Sequence, residues 1–600
     1  MKAEVIHKVK GIYYILLCPV IIFCLMEWLL RNPFQERWGI KPALIPVNLL
    51  FFYCLLILLF ALTGNLRPSL YVLSFFGFIA GLADHYVYKF RGSTLVPWDF
   101  LSLSTAASVA DNYDYTPERK VIIIILVFIL LWISILFCDL TIKDKVRLRI
   151  TLILCSITFF VLAYVPFVQS EKTIKKLKVY DKLFTPATMT MKDGTMFAFI
   201  YDMQFLSVSK PEDYKKKRIL DSLKNDYGGR FVKKSETNAE TPNIIVIMCE
   251  AFSDPAVTGE FSTNKDYMPF IRSLMDEDNV TSGYLHVSVK GGNTPNTEFE
   301  YLTGNTMAFL PNGSIPFQQF IKKRTDALPS YLNSRGFRSV AMHPYRAKGW
   351  CRDEAYPRLG FDEMYFIDYF KERNPEYVRK YISDETLFRE IINLYKENGT
   401  ETPLFSFNVT MQNHSEYSGN TEDYNREIKV DGLSGDTAVE NYLSLEKITD
   451  SAFKSFISYF DSISDPTVIV FFGDHQAADH VVEPLWRLNG KNGSNLTDEE
   501  NRLRYKVPFL IWSNFDHNGE KDLEISANFL GNLTLSIAGI DICGYRAFLE
   551  EQYKKTPVVT AIHSIKSDGR DEDNDINDPD LQKYRRYQYY ELFDDEDLID

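Results

Sequence analysis

The chain has 600 residues, too many for a single domain, and its charge is unevenly distributed. Residues 1–170 carry 15 Lys and Arg against 10 Asp and Glu, a net charge of +5, so the rest must carry −18 for the chain to total −13. Such an acidic part argues against nucleic acid as its partner, because binding a phosphate backbone needs clustered Lys and Arg. The eight cysteines form no CxxC pair, which argues against a cysteine zinc site and a disulfide framework.

Five apolar runs occupy the first 170 residues, at 11–30, 43–63, 69–88, 121–140 and 150–169. Each approaches the ~20 residues that a membrane-spanning helix needs, so residues 1–170 are predicted to form a five-helix transmembrane domain. Asp84 and His85 lie inside the third run. They are expected either to line a substrate or lipid path or to sit at the interface end of the span.

Basic residues are dense in the short segments that would be cytoplasmic if the N-terminus is inside, but the outer segments hold nearly as many. Charge therefore favours a cytoplasmic N-terminus without deciding the orientation. An odd number of spans puts the large C-terminal part on the side opposite the N-terminus.

The pattern changes twice after the last span. Residues 171–240 are predicted to be a linker, in which the apolar and aromatic segment 196–206 lies along the membrane surface. Residues 241–564 alternate short apolar runs with amphipathic runs, as βαβ units do. Residues 565–600 are rich in Asp with interspersed Tyr and are predicted to be a solvated acidic tail.

Five strands are predicted in this second part, at 243–249, 337–342, 404–411, 467–472 and 507–512. Helices are predicted at 268–275, 326–334, 384–398, 440–462 and 526–537. Because the strands are almost continuously apolar, helices should cover both faces of their sheet. The fold class is therefore α/β.

Reactive side chains follow four of these strands. Glu250 comes directly after the first, His343 after the second, His414 shortly after the third, and Asp474-His475 one glycine after the fourth. Each alone could be a helix cap, a buried hydrogen-bonded histidine or a turn. Sites in open parallel sheets form at the carboxyl ends of the strands, so together these residues predict one site.

The stretch 290–304, KGGNTPNTEFEYLTG, supplies a candidate nucleophile. Gly291 and Gly292 can adopt positive φ and let the backbone approach a ligand. Thr294-Pro295 falls where a helix N-terminus would offer free N–H groups to an anion. Thr294 could be only an N-capping residue in a surface turn, but the nearby reactive residues favour a metal-held nucleophile that attacks a phosphoester.

The oxygens of Glu250, Thr294 and Asp474 with a nitrogen of His475 form a ligand set that suits Mg²⁺ or Mn²⁺. Such a metal would lower the pKa of the hydroxyl and balance charge on a phosphoryl group. In the segment 343–352, Arg352 could pair with phosphate oxygens and Trp350 could cover a small polyol or a lipid headgroup. A surface ion pair and a packed aromatic are the alternatives. His414 is expected to protonate a leaving oxygen.

The segments 243–253, 291–304, 343–352, 413–414 and 473–475 together resemble the lipoteichoic acid synthase family of Gram-positive bacteria. The resemblance covers about 243–545 and also includes the five preceding spans. It implies a membrane-bound phosphoglycerol transferase with an extracellular sulfatase-like or alkaline-phosphatase-like domain, built on a mostly parallel central sheet. The implied donor is a phosphatidylglycerol-like lipid, and the acceptor a glycolipid or cell-envelope polymer.

The resemblance also assigns residues, motif by motif. Manganese, with magnesium as the alternative, would be held by Glu250, Thr294, Asp474 and His475, and Thr294 would be the nucleophile. The residues around the glycerophosphate would be His343, Trp350, Arg352 and His414. The sequence departs from the better-known synthases in the loop GGNTPNTE and at Cys351, where an asparagine is usual, so the acceptor stays open.

Two other functions remain as alternatives. One is a different enzyme of the sulfatase superfamily, namely a sulfatase, a phosphodiesterase or a phosphoethanolamine transferase. The loop 291–297 lacks the Cys or Ser context of a formylglycine sulfatase, and the chain lacks a cysteine-rich outer domain. The other is a non-enzymatic membrane sensor, which would be expected to have lost ligands.

Overall fold

The computed structural model describes residues 2–31, 39–91, 94–102, 115–142, 144–179, 186–206, 208–228, 241–311, 313–415, 417, 424–433, 437–493, 496–575 and 577–594. It divides into two compact units. The first comprises residues 1–100, 113–208 and 311–313, and the second comprises 101–112, 209–310 and 314–600.

The first unit is helical. Its long helices are Lys2–Leu30, Ile45–Thr63, Leu66–Arg91, Arg119–Ile135 and Val146–Tyr164. In the described part of the chain, four stretches are long and apolar enough to cross a bilayer: Val9–Leu30, Ile45–Thr63, Leu66–Phe90 and Val146–Val168. The fifth predicted span corresponds to Arg119–Ile135, which is equally apolar but only 17 residues long. Four to five apolar helices therefore precede the second unit, and the chain is a membrane protein.

Shorter helices follow the spans within the same unit, at Glu171–Leu177, Pro186–Asp193 and Thr195–Asp202. Phe197 and Tyr201 of the last one are buried in an apolar cluster with Leu44, Val47 and Phe51, so this part of the predicted linker packs onto the second long helix. Residues 180–185, 207 and 229–240 of the predicted linker lie outside the described residues.

Asp84 and His85 are both buried and hydrogen-bonded inside the first unit. The Asp84 carboxylate accepts from the Leu95 amide at 2.6 Å, and His85 Nδ1 lies 2.9 Å from the Leu29 carbonyl oxygen. These bonds to the backbone pair some of the polar atoms of the two side chains, which are costly to bury in an apolar helical bundle.

The described residues of the second unit form thirteen strands. The strands of its main sheet are β1 (Asn243–Cys249), β2 (Val280–His286), β3 (Arg338–Met342), β4 (Glu363–Tyr365), β7 (Leu404–Val409), β8 (Thr467–Gly473), β9 (Lys506–Ser513) and β10 (Leu523–Ser526). A hairpin is formed by β5 (Tyr377–Val378) and β6 (Tyr381–Ile382), and a small sheet by β11 (Val558–Val559), β12 (Ser564–Ile565) and β13 (Asp571–Glu572).

The main sheet has the order β10-β2-β9-β8-β1-β7-β3-β4. Only β9 runs against the others, since it pairs antiparallel with both β2 and β8. The mostly parallel α/β sheet expected from the sequence is thus confirmed, and so are its five predicted strands. The carboxyl ends of β3, β7, β1 and β8 lie side by side, which brings the residues that follow them to one edge.

Helices cover both faces of this sheet. The described helices of the second unit are Lys216–Asn225, Pro269–Met275, Thr294–Thr303, Pro316–Gln319, Leu328–Asn333, Arg352–Leu359, Ile367–Lys371, Asp384–Asn398, Thr437–Asp461, Asp479–Leu488, Asp498–Leu503, Ala527–Ile537, Tyr545–Lys555 and Pro579–Tyr589. Neighbouring residues of β8 show the two layers: the Phe471 ring packs against Phe453 of the helix Thr437–Asp461, and the Phe472 ring packs against Tyr301. Alternate residues of a strand point to opposite faces, so such a strand must be apolar throughout.

The expectation of a solvated acidic tail from residue 565 is wrong for residues 565–594. This stretch contains parts of the small sheet and the helix Pro579–Tyr589, whose Tyr584 and Tyr587 are buried. Tyr584 donates to the Gly304 carbonyl oxygen, and Gln588 exchanges two hydrogen bonds with the Thr306 backbone, at 2.8 and 2.9 Å. The burial of these tyrosine side chains folds the segment onto the second unit despite its acidic composition. Residues 595–600 lie outside the described part of the chain.

Candidate active site

Two adjacent strand ends bring three metal-binding side chains together. Glu250 follows β1, and Asp474 and His475 follow β8, its parallel neighbour. One ligand atom from each lies within 4.8 Å of the other two, and all three side chains are buried. The backbone fixes the cluster, because the Asp474 carboxylate accepts from the Ala251 amide at 2.7 Å and the Glu250 amide donates to Thr410 Oγ1 at 3.0 Å.

The cluster has polar atoms without protein partners. Asp474 Oδ2 and His475 Nε2 are buried and have no hydrogen-bond partner among the described residues, although the two atoms lie 3.3 Å apart. Buried polar groups are otherwise nearly always paired. His475 Nδ1 faces the Gln476 carbonyl oxygen at 3.0 Å, which fixes Nδ1 as the protonated nitrogen and leaves Nε2 with a free lone pair. Such a set fits a divalent cation.

The charges of Glu250 and Asp474 also favour a bound cation. Burial, together with the negative charge of Asp474, raises the pKa of Glu250 well above its usual range, and burial raises the pKa of Asp474. Two adjacent carboxylates are costly in a buried place unless a cation lies between them. Two carboxylates and one imidazole are compatible with Mg²⁺, Mn²⁺ or Zn²⁺, so these residues could hold a divalent metal but do not select which one.

Thr294 is joined to this cluster. Its Oγ1 donates to Glu250 Oε2 at 3.2 Å, and its side chain is buried. It begins the helix Thr294–Thr303, which we call the threonine helix, with Pro295 in the first turn. One turn on, Thr297 Oγ1 donates to the Asp474 carbonyl oxygen at 2.8 Å, which ties the helix to the end of β8.

The loop before Thr294 has an unusual backbone. Gly291, Gly292 and Asn293 all have positive φ, at 67°, 144° and 64°. The Gly291 amide donates to the Gln476 carbonyl oxygen at 2.8 Å, and a Cβ at this residue would lie 3.0 Å from the Ala478 backbone. Glycine is therefore required at 291 both by conformation and by close approach to the segment that follows the metal ligands.

His343 and His414 follow β3 and β7, as predicted. His343 Nδ1 lies 3.0 Å from the Val409 carbonyl oxygen, and burial with the nearby Arg352 charge lowers its pKa well below the usual range. His414 Nδ1 lies 2.9 Å from the Ser415 carbonyl oxygen, and burial lowers its pKa to about 4. Both histidines are therefore neutral near pH 7, with the proton on Nδ1. A neutral His414 carries a lone pair on Nε2 that can accept a proton.

Arg352 forms an ion pair, which was the alternative kept for it, but the pair is buried and its partner, Glu298, was not predicted. Its Nε lies 3.1 and 3.2 Å from the two carboxylate oxygens of Glu298, and its Nη2 also donates to Glu298. Glu298 stands four residues after Thr294 on the threonine helix. That i, i+4 spacing, which puts two side chains on one helix face, is the signal in the sequence that could have identified it.

Trp350 and Cys351 both have left-handed backbone, with φ of 57° and 60°. For residues with a Cβ this conformation costs roughly 1–2 kcal/mol each. Asparagine tolerates it better, which gives a physical reason for an asparagine where this chain has Cys351. Trp350 is partly exposed. Two strained residues at the end of the 343–352 segment are typical of functional sites.

The hairpin β5–β6 adds further groups beside His414 that sequence reasoning missed. Tyr381 places its hydroxyl 3.1 Å from His414 Nδ1, and Arg379, at its turn, donates to the Gln412 and His414 carbonyl oxygens at 2.8 Å each. Neither residue follows a predicted strand, so no pattern in the sequence pointed to them.

Comparison with known proteins identifies this arrangement. The family model described as Sulfatase matches residues 242–540. A Rhizobium meliloti (strain 1021) protein named for cyclic beta-1,2-glucan modification is 29% identical over 436 residues, covering 70% of this chain and 64% of that protein. Lipoteichoic acid synthase 1 of Bacillus subtilis (strain 168) is 23% identical over 402 residues, covering 65% of this chain and 59% of the synthase. The chain thus spans less than two thirds of either relative.

Among solved structures, the Streptococcus pyogenes phosphoglycerol transferase GacH in complex with sn-glycerol-1-phosphate is similar to this chain. Its TM-score is 0.52 at 23% identity, and the match covers 64% of this chain and 95% of that structure. Together with the matched domain and the synthase relative, this similarity confirms the resemblance drawn from the five motifs. The chain belongs to the sulfatase family and is related to its lipoteichoic acid synthases.

Proposed function

We propose that the protein is a membrane-bound phosphoglycerol transferase that moves glycerophosphate from a phosphatidylglycerol-like lipid to an acceptor in the cell envelope. One observation carries the proposal. A buried threonine hydroxyl at a helix N-terminus bonds a carboxylate of a metal-binding cluster, and an arginine charge lies close enough to act on that same carboxylate. A hydroxyl held in this way can become a nucleophile towards phosphorus.

The reaction has two steps. Thr294 Oγ1 forms a bond to the phosphorus of the donor, and the bond from phosphorus to the diacylglycerol oxygen breaks. The departing diacylglycerol oxygen takes up a proton, which balances the proton lost by Thr294. An acceptor hydroxyl then attacks the same phosphorus, and Thr294 leaves with its proton restored.

Glu250, Asp474 and His475, with Thr294, would hold a divalent cation, for which we propose Mn²⁺ with Mg²⁺ as the alternative. When bound, that cation lowers the pKa of a coordinated hydroxyl and offsets charge on the phosphoryl group. The chain supplies the remaining functions. Glu250 receives the Thr294 hydrogen bond in the resting site, and the positive end of the threonine helix dipole, which begins at Thr294, favours an anion there.

Neutral His414 suits the second step. Because the Ser415 carbonyl fixes the proton on Nδ1, Nε2 can accept the proton of the acceptor hydroxyl as that oxygen attacks. His343 has the same tautomer and can accept a hydrogen bond from a glycerol hydroxyl. Arg352 would pair with the phosphate, and Trp350 would cover the glycerol.

The donor and the acceptor are proposed from the membrane unit and the relatives. Spanning helices tether the chain to a bilayer, which supports a lipid as donor, and the related structure GacH was solved with sn-glycerol-1-phosphate. One relative is named for lipoteichoic acid synthesis and the more similar one for glucan modification, which supports an envelope polymer or glucan as acceptor. Both acceptors would be extracytoplasmic, and we propose that the second unit lies outside the membrane.

The test compares Thr294→Ala with Thr294→Ser in purified full-length protein. The assay follows headgroup release from fluorescent phosphatidylglycerol with Mn²⁺, and intact mass spectrometry follows a glycerophosphoryl adduct. Serine keeps the hydroxyl and should retain turnover and adduct, whereas alanine should abolish both. Persistent headgroup release by Thr294→Ala would disprove the nucleophile. Faster turnover of a phosphatidylethanolamine donor would instead identify a phosphoethanolamine transferase.

A further inference from the structure

Glu298 and Arg352 form a closed unit beside Thr294. Glu298 is fully buried and Arg352 nearly so. The Nε–Nη2 side of the guanidinium is directed at the Glu298 carboxylate, whose Oε2 also accepts from the Tyr356 hydroxyl at 2.6 Å. By contrast, the one hydrogen bond of Arg352 Nη1 to the described residues is long, 3.4 Å to the Gly349 carbonyl oxygen.

We propose that Glu298 is a positioning residue that occupies the Nε–Nη2 side of Arg352, so that a phosphoryl group on Thr294 meets the Nη1–Nη2 end of the guanidinium. The inference rests on the proposed function of the site and deepens it. Side-on pairing between Arg352 and phosphate is excluded while Glu298 holds that side. The phosphate is bound end-on.

The position of Glu298 on the threonine helix explains how its ion pair with Arg352 can position the guanidinium relative to Thr294. Thr294 and Glu298 are one turn apart on the threonine helix, so a rigid backbone sets the distance between the nucleophile and the group that holds Arg352. Arg352 in turn acts electrostatically on both Glu250 and His343, so its charge lies near both of these side chains.

Stability alone does not account for the pair. Removing two charges from water costs several kcal/mol per ion, and well-packed apolar residues often replace buried ion pairs without loss. The bidentate geometry is what an apolar pair would not supply, because it fixes the plane and the direction of the guanidinium. The Tyr356 hydroxyl completes this alignment by bonding the same carboxylate.

The experiment measures the affinity of full-length, Mn²⁺-loaded protein for two probes, glycerol phosphate and inorganic phosphate. The variants are Glu298→Gln, Arg352→Gln and the double variant, with Glu300→Gln as control. Glu300 is a buried glutamate of the same helix that bonds Ser288, Thr306 and the Met307 amide instead of Arg352. Glu298→Gln should weaken binding of both probes about 10- to 100-fold, the scale of one charged hydrogen bond.

Non-additivity separates positioning from a merely structural role. The double variant should bind no more weakly than Arg352→Gln, because both single changes remove the same aligned guanidinium. Glu300→Gln should keep both affinities, and all variants should keep the thermal shift that Mn²⁺ produces. Additive losses, or wild-type affinity in Glu298→Gln, would overturn the proposal. If Glu298→Gln fails to fold, two milder variants replace it in the same measurements. Tyr356→Phe removes only the hydrogen bond from the Tyr356 hydroxyl to Glu298, and Glu298→Asp keeps the charge but shortens the side chain.

The two probes keep this test apart from the proposed function. If wild-type protein binds inorganic phosphate but not glycerol phosphate, the glycerophosphate headgroup is wrong, while the phosphate data still decide the role of Glu298. If wild-type protein binds neither probe, Arg352 is not a phosphate-binding group and both proposals fail.

Discussion

Asp474 offers the sharpest test of the metal site, because its two carboxylate oxygens have different surroundings. Oδ1 accepts from the Ala251 amide, whereas Oδ2 is buried, has no hydrogen-bond partner in the described part of the chain and lies 3.3 Å from His475 Nε2. In Asp474→Asn, the amide oxygen can keep the bond to Ala251. The new NH₂ group can donate to Glu250 or His475, so a repulsive contact becomes a hydrogen bond.

The expected sign is unusual for a buried residue. Two charges 4.8 Å apart, the outer limit for the cluster, interact by about 3.5 kcal/mol at an effective dielectric constant of about 20. Asp474→Asn should therefore raise the free energy of unfolding of the metal-free protein, by an amount on the order of that interaction. It should also abolish stabilisation by metal, which for wild-type protein is about 2.7 kcal/mol at a cation concentration 100 times the Kd.

Thermal unfolding of full-length protein, treated with chelator and then titrated with Mn²⁺, measures both effects. Asp479→Asn is the matched control, four residues from the metal ligand His475. Asp479 is paired with Lys290 and Arg504, and those charges lower its pKa to about 2. Its neutralisation should destabilise the metal-free protein and leave the response to metal intact. If Asp474→Asn behaved like Asp479→Asn, the reasoning about the cluster would be refuted.

Three further predictions concern single residues. Cys351→Asn should raise the free energy of unfolding by about 1 kcal/mol in chemical denaturation, because asparagine tolerates the left-handed backbone at 351; a loss of stability would refute the strain. Burial raises the pKa of Glu300 to about 7, so folded protein should lose up to about 3 kcal/mol as pH rises from 4.5 to 8, and Glu300→Gln should remove that share of the pH dependence. An unchanged pH profile in the variant would contradict the shift. Tyr584→Ala should cost about 3–5 kcal/mol and Tyr584→Phe about 1–3 kcal/mol, since the first removes a buried ring and the second only its hydrogen bonds. Equal, small effects in thermal unfolding would show that the C-terminal helix does not pack as described.

The strands that carry the site could be predicted because their signals are local. β1 and β8 are buried on both faces, so their sequences are apolar without interruption. The helix Asp384–Asn398 was predicted to the residue, since Ser383 caps its first turn by accepting from the Thr386 amide and Gly399 follows its last residue. Once the strand ends were located, the rule that sites form at the carboxyl ends of parallel strands predicted that five side chains lie at one edge of the sheet. These are Glu250, Asp474, His475, His343 and His414.

What could not be predicted depends on partners distant in the chain. β2 contains Ser282 and Gly283, and it is a strand because the β10 backbone approaches so closely that a Cβ at 283 would lie 2.1 Å from the Leu523 carbonyl oxygen. No alternation of apolar and polar residues in the sequence of β2 predicts this pairing with β10.

The same reason explains the C-terminal segment and the role of His414. Asp and Tyr alternate irregularly after residue 565, and only the structure shows that Tyr584 reaches Gly304 at the end of the threonine helix. The residue type of His414 was predicted, but its tautomer depends on the Ser415 carbonyl oxygen and the Tyr381 hydroxyl. The sequence could therefore say which groups meet at the strand ends. Which of them gives and which accepts a proton is decided by backbone carbonyls, which every residue carries and no sequence pattern distinguishes.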